Sequence, residues 1–372
     1  MKMIDQKEQN NPESNKSWPK AAIIILNWNG WEDTIECLES LQKLDYPEYQ
    51  TIVVDNGSTN DSLENIKNWC EGKIPHNMNL EKSSSDFKPL KYIEYKKSIA
   101  ESGGKIEKER IIEKYPSSRK LIIIRSDNNY GFPGGNNIAI KYTLRKKYDY
   151  VWLLNNDTVI DKNALKEMVN IAESDEKIGM VGSKIINFDH SDLINVKKAI
   201  DNKNNHFNNK SIPVKWIEGS SLLAKKKTIE QIGLLDENYF LYGEDKDWCT
   251  QARQKGWKLV RALKSIIWHK WGASTKSGRI KKNFFGKKVI RIPWESYLIP
   301  GYYEARNGVY YTKKNLPQYF LLYLILRTSH LIAQVILYDD HKLARIRIIL
   351  KGAWHGLLGK MGKTVEPVKA EK

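Results

Sequence analysis

The sequence predicts an α/β domain with a mainly parallel central sheet and flanking helices. Three observations carry this. Short, continuous runs rich in Ile and Val recur: Ala21–Leu26, Ile52–Val54, Leu121–Ile124 and Val151–Leu154. Such runs are how strands buried on both faces read. Segments of helical character separate them, and strands alternating with helices make a parallel sheet. Finally, the runs stop at polar residues: Leu26 at Asn27, Val54 at Asp55, Leu154 at Asn155. Open parallel sheets bind ligands beyond the carboxyl ends of their strands, so three polar ends point to one crevice.

In order along the chain, residues 1–20 are polar and lack the apolar core of a signal peptide, and read as a disordered tail. After the first run, Ile35, Leu38, Leu41 and Leu44 form one stripe across Trp31–Leu44, a helix. Residues 79–119 are highly charged with no clear strand, and read as an inserted loop with a short helix near Lys105–Lys114. A second helix is expected at Asn136–Lys146, after the glycine-rich YGFPGG. Beyond the fourth run, Ala164–Ala172 and Asp245–Lys255 read as helices and Ile178–Ile186 and Ser221–Ala224 as strands. Residues 187–212 read as an Asn- and Lys-rich loop.

The C-terminal part, 276–372, differs in kind and reads as a basic linker followed by amphipathic helices. Tyr319–Leu326 and Leu331–Leu337 are strongly apolar, but Arg327, Thr328, Ser329 and His330 interrupt them. A spanning helix needs roughly 20 consecutive apolar residues, and a charge at its centre costs at least about 2.5 kcal/mol. The expectation is therefore an interfacial or packed helix. HKLARIRIILKGAWHGLLGKMGK then interleaves basic residues with Ile, Leu and Trp, which suits an anionic membrane surface or a helix packed on the main domain.

The 372 residues allow one large domain, or a large domain plus a smaller one. The formal charge of +17 favours polyanions, nucleotide phosphates or anionic lipid, with Lys and Arg gathered at 270–291 and 342–363. Three scattered cysteines, Cys37, Cys70 and Cys249, show neither a zinc pattern nor a disulfide framework, as in a reducing compartment.

Five stretches could carry chemistry. In VVDNGSTNDS, Asp55 follows a buried strand; Asp-Asn-Gly is good turn chemistry, yet a carboxylate there can also accept from a ribose or base. In NNYGFPGGNN, three glycines permit close backbone approach, at a spacing that is neither the Walker nor the Rossmann pattern. In WLLNNDT, Asp157 with Asn155 offers oxygen ligands to Mg²⁺ or Mn²⁺, or an Asx turn. In YGEDKDW, Glu244, Asp245 and Asp247 begin a helix, where acids are favourable in any protein and one can also serve as a general base. In IIWHKWG, His269 is a metal ligand only if it faces the same crevice.

Taken in order, these stretches resemble family-2 glycosyltransferases with the GT-A fold, most closely the rhamnosyltransferase-type members. The likeness begins at IIILNWNGWEDTIECLESL and IVVDNGSTNDS. It passes through NNYGFPGGNNIAI, WLLNNDT, IEGSSLLAKKKTIEQIGLLDENYFLYGEDKDWCTQARQKGW and WHKWGAST, and reaches YYEARNGVYY. It implies a catalytic domain over 21–275. It also implies roles. Asp55 would contact the nucleoside of a nucleotide-sugar donor, near Asn27 and Asn29. Gly131, Gly134, Asn137, Asn156 and Gly219 would line the donor pocket. Asp157 would hold a divalent metal (Mn²⁺ or Mg²⁺), with His269 a further ligand to metal or diphosphate. Asp245, paired with Glu244, would be the catalytic base. Asn155 departs from the family's Asp-x-Asp form.

The implied reaction is inverting transfer of a sugar, rhamnose from dTDP-rhamnose as the first reading and a UDP-hexose as the alternative, to a hydroxyl of a glycan or lipid-linked glycan. A nucleotidyltransferase would need a second metal carboxylate beside Asp157, where Asn155 stands. A basic nucleic-acid- or membrane-binding protein fits the charge. The strand-end acids would repel nucleic acid, so no such partner is expected. The expected location is the cytoplasmic face of the cell membrane, reached through 317–363.

Overall fold

In the computed structural model, which describes residues 17–74, 89–188, 210–270, 280–284 and 287–365, the apolar runs become strands of one sheet. Ala21–Asn27 (β1) leads to helix Trp31–Leu41 (α1), and Tyr49–Asp55 (β2) to Ser62–Cys70 (α2). Lys91–Lys96 (β3) passes through Lys97–Glu101 (α3) and Ile106–Glu113 (α4) to Lys120–Arg125 (β4). Gly131–Leu144 (α5), Tyr150–Asn155 (β5), Thr158–Ile160 (β6), Ala164–Glu173 (α6) and Ile178–Asn187 (β7) follow. Next come Ser211–Pro213 (β8), Ser221–Lys225 (β9), Lys226–Ile232 (α7), Glu244–Gln254 (α8) and Lys258–His269 (β10). A hairpin of Ile280–Phe284 (β11) and Lys287–Arg291 (β12) precedes three helices: Leu298–Asn315 (α9), Phe320–Tyr338 (α10) and Lys342–Leu357 (α11).

The strand order is β3-β4-β2-β1-β5-β9-β7-β10-β6, with β8 paired to β10. From β3 to β5 every pairing is parallel; β9 runs antiparallel between β5 and β7. The architecture is GT-A: a mixed, mostly parallel sheet with helices on both faces. In β1, Ile23 and Ile25 pack on one face with Leu38, Trp69 and Met168, while Ala22 and Ile24 pack on the other with Ile138 and Trp248. Burial on both faces is why β1 shows no polar alternation.

Register decides where the polar ends fall. Asn27 pairs with Asp55, and Leu26 with Asn155, so the three ends lie along one edge of the sheet. Because β9 is antiparallel to β5, its start lies beside the end of β5, with Leu154 opposite Ser221. His269, last in β10, stands opposite Thr158.

The expectation of no strand within 79–119 is corrected. KYIEYK forms β3, the sheet edge, with Ile93 and Tyr95 buried and Lys91 and Lys96 exposed. Ser211–Pro213, read as loop, is a short strand on β10. The apolar segments around Arg327–His330 are one uninterrupted helix, α10. Most of the tail, part of the charged insertion and the boundary near 275 lie outside the described residues.

Candidate functional site

At the ends of β1 and β2, Asn27 and Asp55 meet. Asn27 Nδ2 donates to Asp55 Oδ1 at 2.8 Å, and Ser58 Oγ donates to the same oxygen at 2.5 Å. Asn27 Oδ1 accepts from Thr34 Oγ1 at 3.0 Å, which fixes the first turn of α1. Asn29 sits at φ 57°, a conformation that Asn tolerates, and its Oδ1 accepts from Thr59 N at 2.8 Å. The β1 and β2 loops are thereby locked together. Buried polar groups at a strand end are satisfied here by one another.

At the end of β5, Asn156 Nδ2 donates to the carbonyl of Gly30 (3.2 Å) and to Thr34 Oγ1 (3.1 Å), tying this turn to the same α1 N-terminus. Asp157 and His269 meet behind it, with Asp157 Oδ1 3.0 Å from His269 Nε2 and both residues buried. Asn155 Nδ2 lies 3.3 Å from the same nitrogen. Lys270 lies between Asp33, at 2.5 Å, and Glu36. Burial raises the Asp33 pKa against the pull of Lys270, and the Asp157 charge adds to the rise. Acids therefore outnumber amines at this strand end.

That donor set suits a divalent cation. Carboxylate and imidazole converge on one point, and a cation between them would replace the proton they share. Among the described residues no three His, Cys, Asp or Glu side chains gather into a metal cluster. A cation held by Asp157 and His269 would take its remaining ligands from diphosphate and water, as Mg²⁺ commonly does.

The start of β9 carries the third group. Ser220 accepts through its carbonyl from Asn155 N (3.1 Å), and Gly219 N donates to Asp245 Oδ2 (2.9 Å). The carboxylate at the head of α8 is thus two short links from the end of β5. Lys246 N donates to Asp245 Oδ1 at 2.7 Å. Gly243 precedes the helix at φ 98°, a left-handed position that suits glycine. Burial raises the pKa of Asp245 despite these two backbone donors.

Glu244 is buried, and its Oε2 has no hydrogen-bond partner among the described residues. Burial, reinforced by the Asp245 charge, pushes its pKa from 4.5 up to about 8. The sign is fixed by that direction: the folded chain holds a proton that the unfolded chain releases near 4.5. Glu244 thus contributes stability below pH 4.5 that is lost as pH rises to about 8. Glu244→Gln should flatten this part of the stability-versus-pH curve, and the variant should gain on wild type at pH 8. Urea unfolding at pH 5 and pH 8 checks it; parallel curves for the two proteins would refute the buried neutral acid.

Three residues expected at the donor pocket make structural contacts. Asn137 Nδ2 donates to the carbonyl of Leu235 and to Glu237 Oε1, both at 2.9 Å, and its Oδ1 accepts from Leu235 N. Its amide is consumed in fastening the 235–237 segment. Gly131 and Gly134 belong to α5, which starts five residues before the expected Asn136. A Cβ on Gly131 would lie 2.1 Å from the carbonyl oxygen of Phe240, and one on Gly134 2.7 Å from the Tyr130 side chain. The stretch is helical where a loop was expected, and its glycines permit close packing.

The sequence reading gave no role to Arg306 and Asn307 of α9. Asn307 Nδ2 donates to the carbonyls of Tyr239, Leu241 and Tyr242, at 3.1, 2.7 and 2.7 Å. Arg306 reaches Asn238 and Tyr239 from the same helix. The loop that delivers Glu244 and Asp245 is held by this pair. Adjacent polar residues inside the aromatic YYEARNGVYY were the available signal.

Two family models match the chain. Glycosyl transferase family 2 covers residues 22–83, and Glycosyltransferase like family 2 covers 108–284. The chain carries family 2 glycosyltransferase domains. The low-salt glycan biosynthesis hexosyltransferase Agl10 of Haloferax volcanii is 28% identical over 146 residues, 36% of this chain and 46% of that one. The chain thus spans less than half of that relative. The dTDP-rhamnosyl transferase RfbF of Shigella flexneri is 26% identical over 209 residues, 55% of this chain and 67% of that one. Among solved structures, the mannosyltransferase PcManGT of Pyrobaculum calidifontis, in complex with GDP-Man and Mn²⁺, aligns with TM-score 0.51 at 13% identity. The alignment covers 92% of this chain and 88% of that one. It shows a shared GT-A fold for the family 2 domain.

Proposed function

We propose that this family 2 protein is an inverting glycosyltransferase that moves a sugar from a nucleotide-sugar donor to a hydroxyl of a glycan or lipid-linked glycan. The observation that carries the reading is the link from Asn155 through Ser220 and Gly219 to Asp245, which joins the Asp157–His269 pair to a half-buried carboxylate.

In this reading the Asn27–Asp55 network receives the nucleoside. Asp245 accepts the proton of the acceptor hydroxyl as its oxygen bonds to the sugar C1. The bond from C1 to the diphosphate breaks in the same displacement, which inverts the anomeric centre. A raised pKa makes Asp245 a stronger base than an exposed aspartate. Asp157 and His269 would hold a divalent cation, which supplies Lewis-acid stabilisation of the leaving diphosphate.

The first donor to test is dTDP-rhamnose, supported by the likeness to the dTDP-rhamnosyl transferase of Shigella; UDP-hexoses are the alternative. The proposed site of action is the cytoplasmic face of a membrane. Calorimetric titration with dTDP-rhamnose, UDP-glucose, UDP-galactose and GDP-mannose, with Mn²⁺ and then EDTA, is the direct test. One donor should bind, EDTA should weaken it, and Asp157→Ala should reduce affinity at least about tenfold and abolish the EDTA effect. Equal affinity with and without EDTA would remove the cation from the mechanism. Binding of none of the four would remove the proposed donors.

A further inference from the structure

Helix α10 presents apolar side chains outward as well as inward. Leu321, Leu322, Ile325, Leu326, Ile336 and Leu337 point outward, each at least 50% exposed. Its inner side holds Leu331, Ile332 and the fully buried Val335 beside Tyr323, Arg327, Thr328 and Gln334. A helix at a water surface carries polar residues on its outer side instead. The stretch has mean hydropathy 1.7, yet only 11% of it is buried. Helix α11 continues the surface: Leu343, Leu350, Trp354 and Leu358 are exposed at helical spacing, interleaved with exposed Arg347 and Lys351. Monomeric proteins rarely expose an apolar patch of this extent without a partner for it.

We propose that α10 and α11 together form an in-plane docking surface for an anionic lipid bilayer. The charge pattern chooses the occupant. A second copy seated symmetrically on the patch would set Arg347 and Lys351 against their own kind. An anionic headgroup layer neutralises them while the Leu and Trp side chains enter the acyl boundary. Packing chooses the mode. α11 is seated on α9 through Gly352 and Gly356, where a Cβ would lie 2.5 Å from the carbonyl oxygen of Tyr302 and 2.6 Å from that of Arg306. The inner side of α10 packs on its neighbours: Leu331, Ile332 and Val335 join Ala305 of α9 and Ile346 and Ile349 of α11, and Tyr323 lies against Gly308 of α9. A helix crossing the bilayer would give up that side.

The arrangement also gives the surface a use. Helix α9 carries both the seat of α11 and Asn307, which holds the carbonyls ahead of Asp245. A lipid-linked acceptor would therefore meet the base at a fixed height above the membrane. This last step rests on the proposed reaction; the docking itself does not.

Flotation of the full chain on phosphatidylcholine vesicles, with and without phosphatidylglycerol, tests it. Wild type should float only with the anionic vesicles, and high salt should release it. Arg347→Gln with Lys351→Gln should lower partitioning about thirtyfold, the effect of two cations at an anionic surface. Leu322→Glu with Ile325→Glu should abolish flotation. Donor titration on the same samples should match wild type, which separates a failed surface from a failed reading of the reaction. Wild type that stays in solution with anionic vesicles overturns the proposal. So does protein that resists carbonate extraction, which indicates a span, or an oligomer that the leucine variant turns to monomer without vesicle binding.

Discussion

Asp245→Asn should lower turnover about a thousandfold, the usual scale for loss of a positioned general base. Donor affinity should stay near wild type. The amide keeps the size of the carboxylate and can still accept from Gly219 N. The head of α8 therefore keeps its place, and only the capacity to take a proton goes. The donor's contacts are assigned to other residues, Asn27, Asp55 and Asp157, on different strands. A second readout follows from the environment. Burial raises the Asp245 pKa, so the acidic limb of kcat/KM should lie above that of an ordinary aspartate. Turnover by Asp245→Asn within about tenfold of wild type would remove Asp245 as base, since one such group contributes at least a hundredfold.

The buried half of the sheet was legible because burial on both faces leaves no polar residue to interrupt a run. Strands β1, β2, β4 and β5 show this. β3 was not legible. At the sheet edge only alternate residues need be apolar, so KYIEYK reads as one more charged stretch. The start of α5 was hidden for a different reason. Glycines discourage helices locally, and here tertiary packing against Leu26, Asn56 and Phe240 overrides that preference. In the site, the meeting of Asp157 with His269 could be expected from the resemblance, which implied one metal for both. The structural partners of Asn137, Leu235 and Glu237, were hidden because they lie about 100 residues away and no local pattern reports them. Arg306 was missed likewise: the adjacent Arg306 and Asn307 mark a polar point in an aromatic helix, but not whether it faces water or a set of carbonyls.

That arginine gives the largest expected loss of stability. Arg306 is fully buried, and burial pulls its pKa below the ordinary arginine value. It donates to neutral oxygens: those of Asn238 and Tyr239 on the loop before α8, Gly362 and Thr364 in the C-terminal segment, and neighbouring Asn307. The guanidinium also lies over Tyr303, 4.6 Å from its centroid. One planar fork thus joins two segments far apart in sequence to α9. Arg306→Met fills much of the volume but leaves those carbonyls without their donors. The expected cost is about 3–5 kcal/mol, seen as a fall in Tm of roughly 10 °C. Arg306→Lys should recover little of it, because a single ammonium cannot reach both segments. A change below about 0.5 kcal/mol in Arg306→Met would place it with surface substitutions and sink the clamp. If the clamp holds, folded Arg306→Met at 25 °C should bind donor and turn over poorly. The loop that loses its tether leads directly into Glu244 and Asp245, while the Asn27–Asp55 network lies at the ends of β1 and β2.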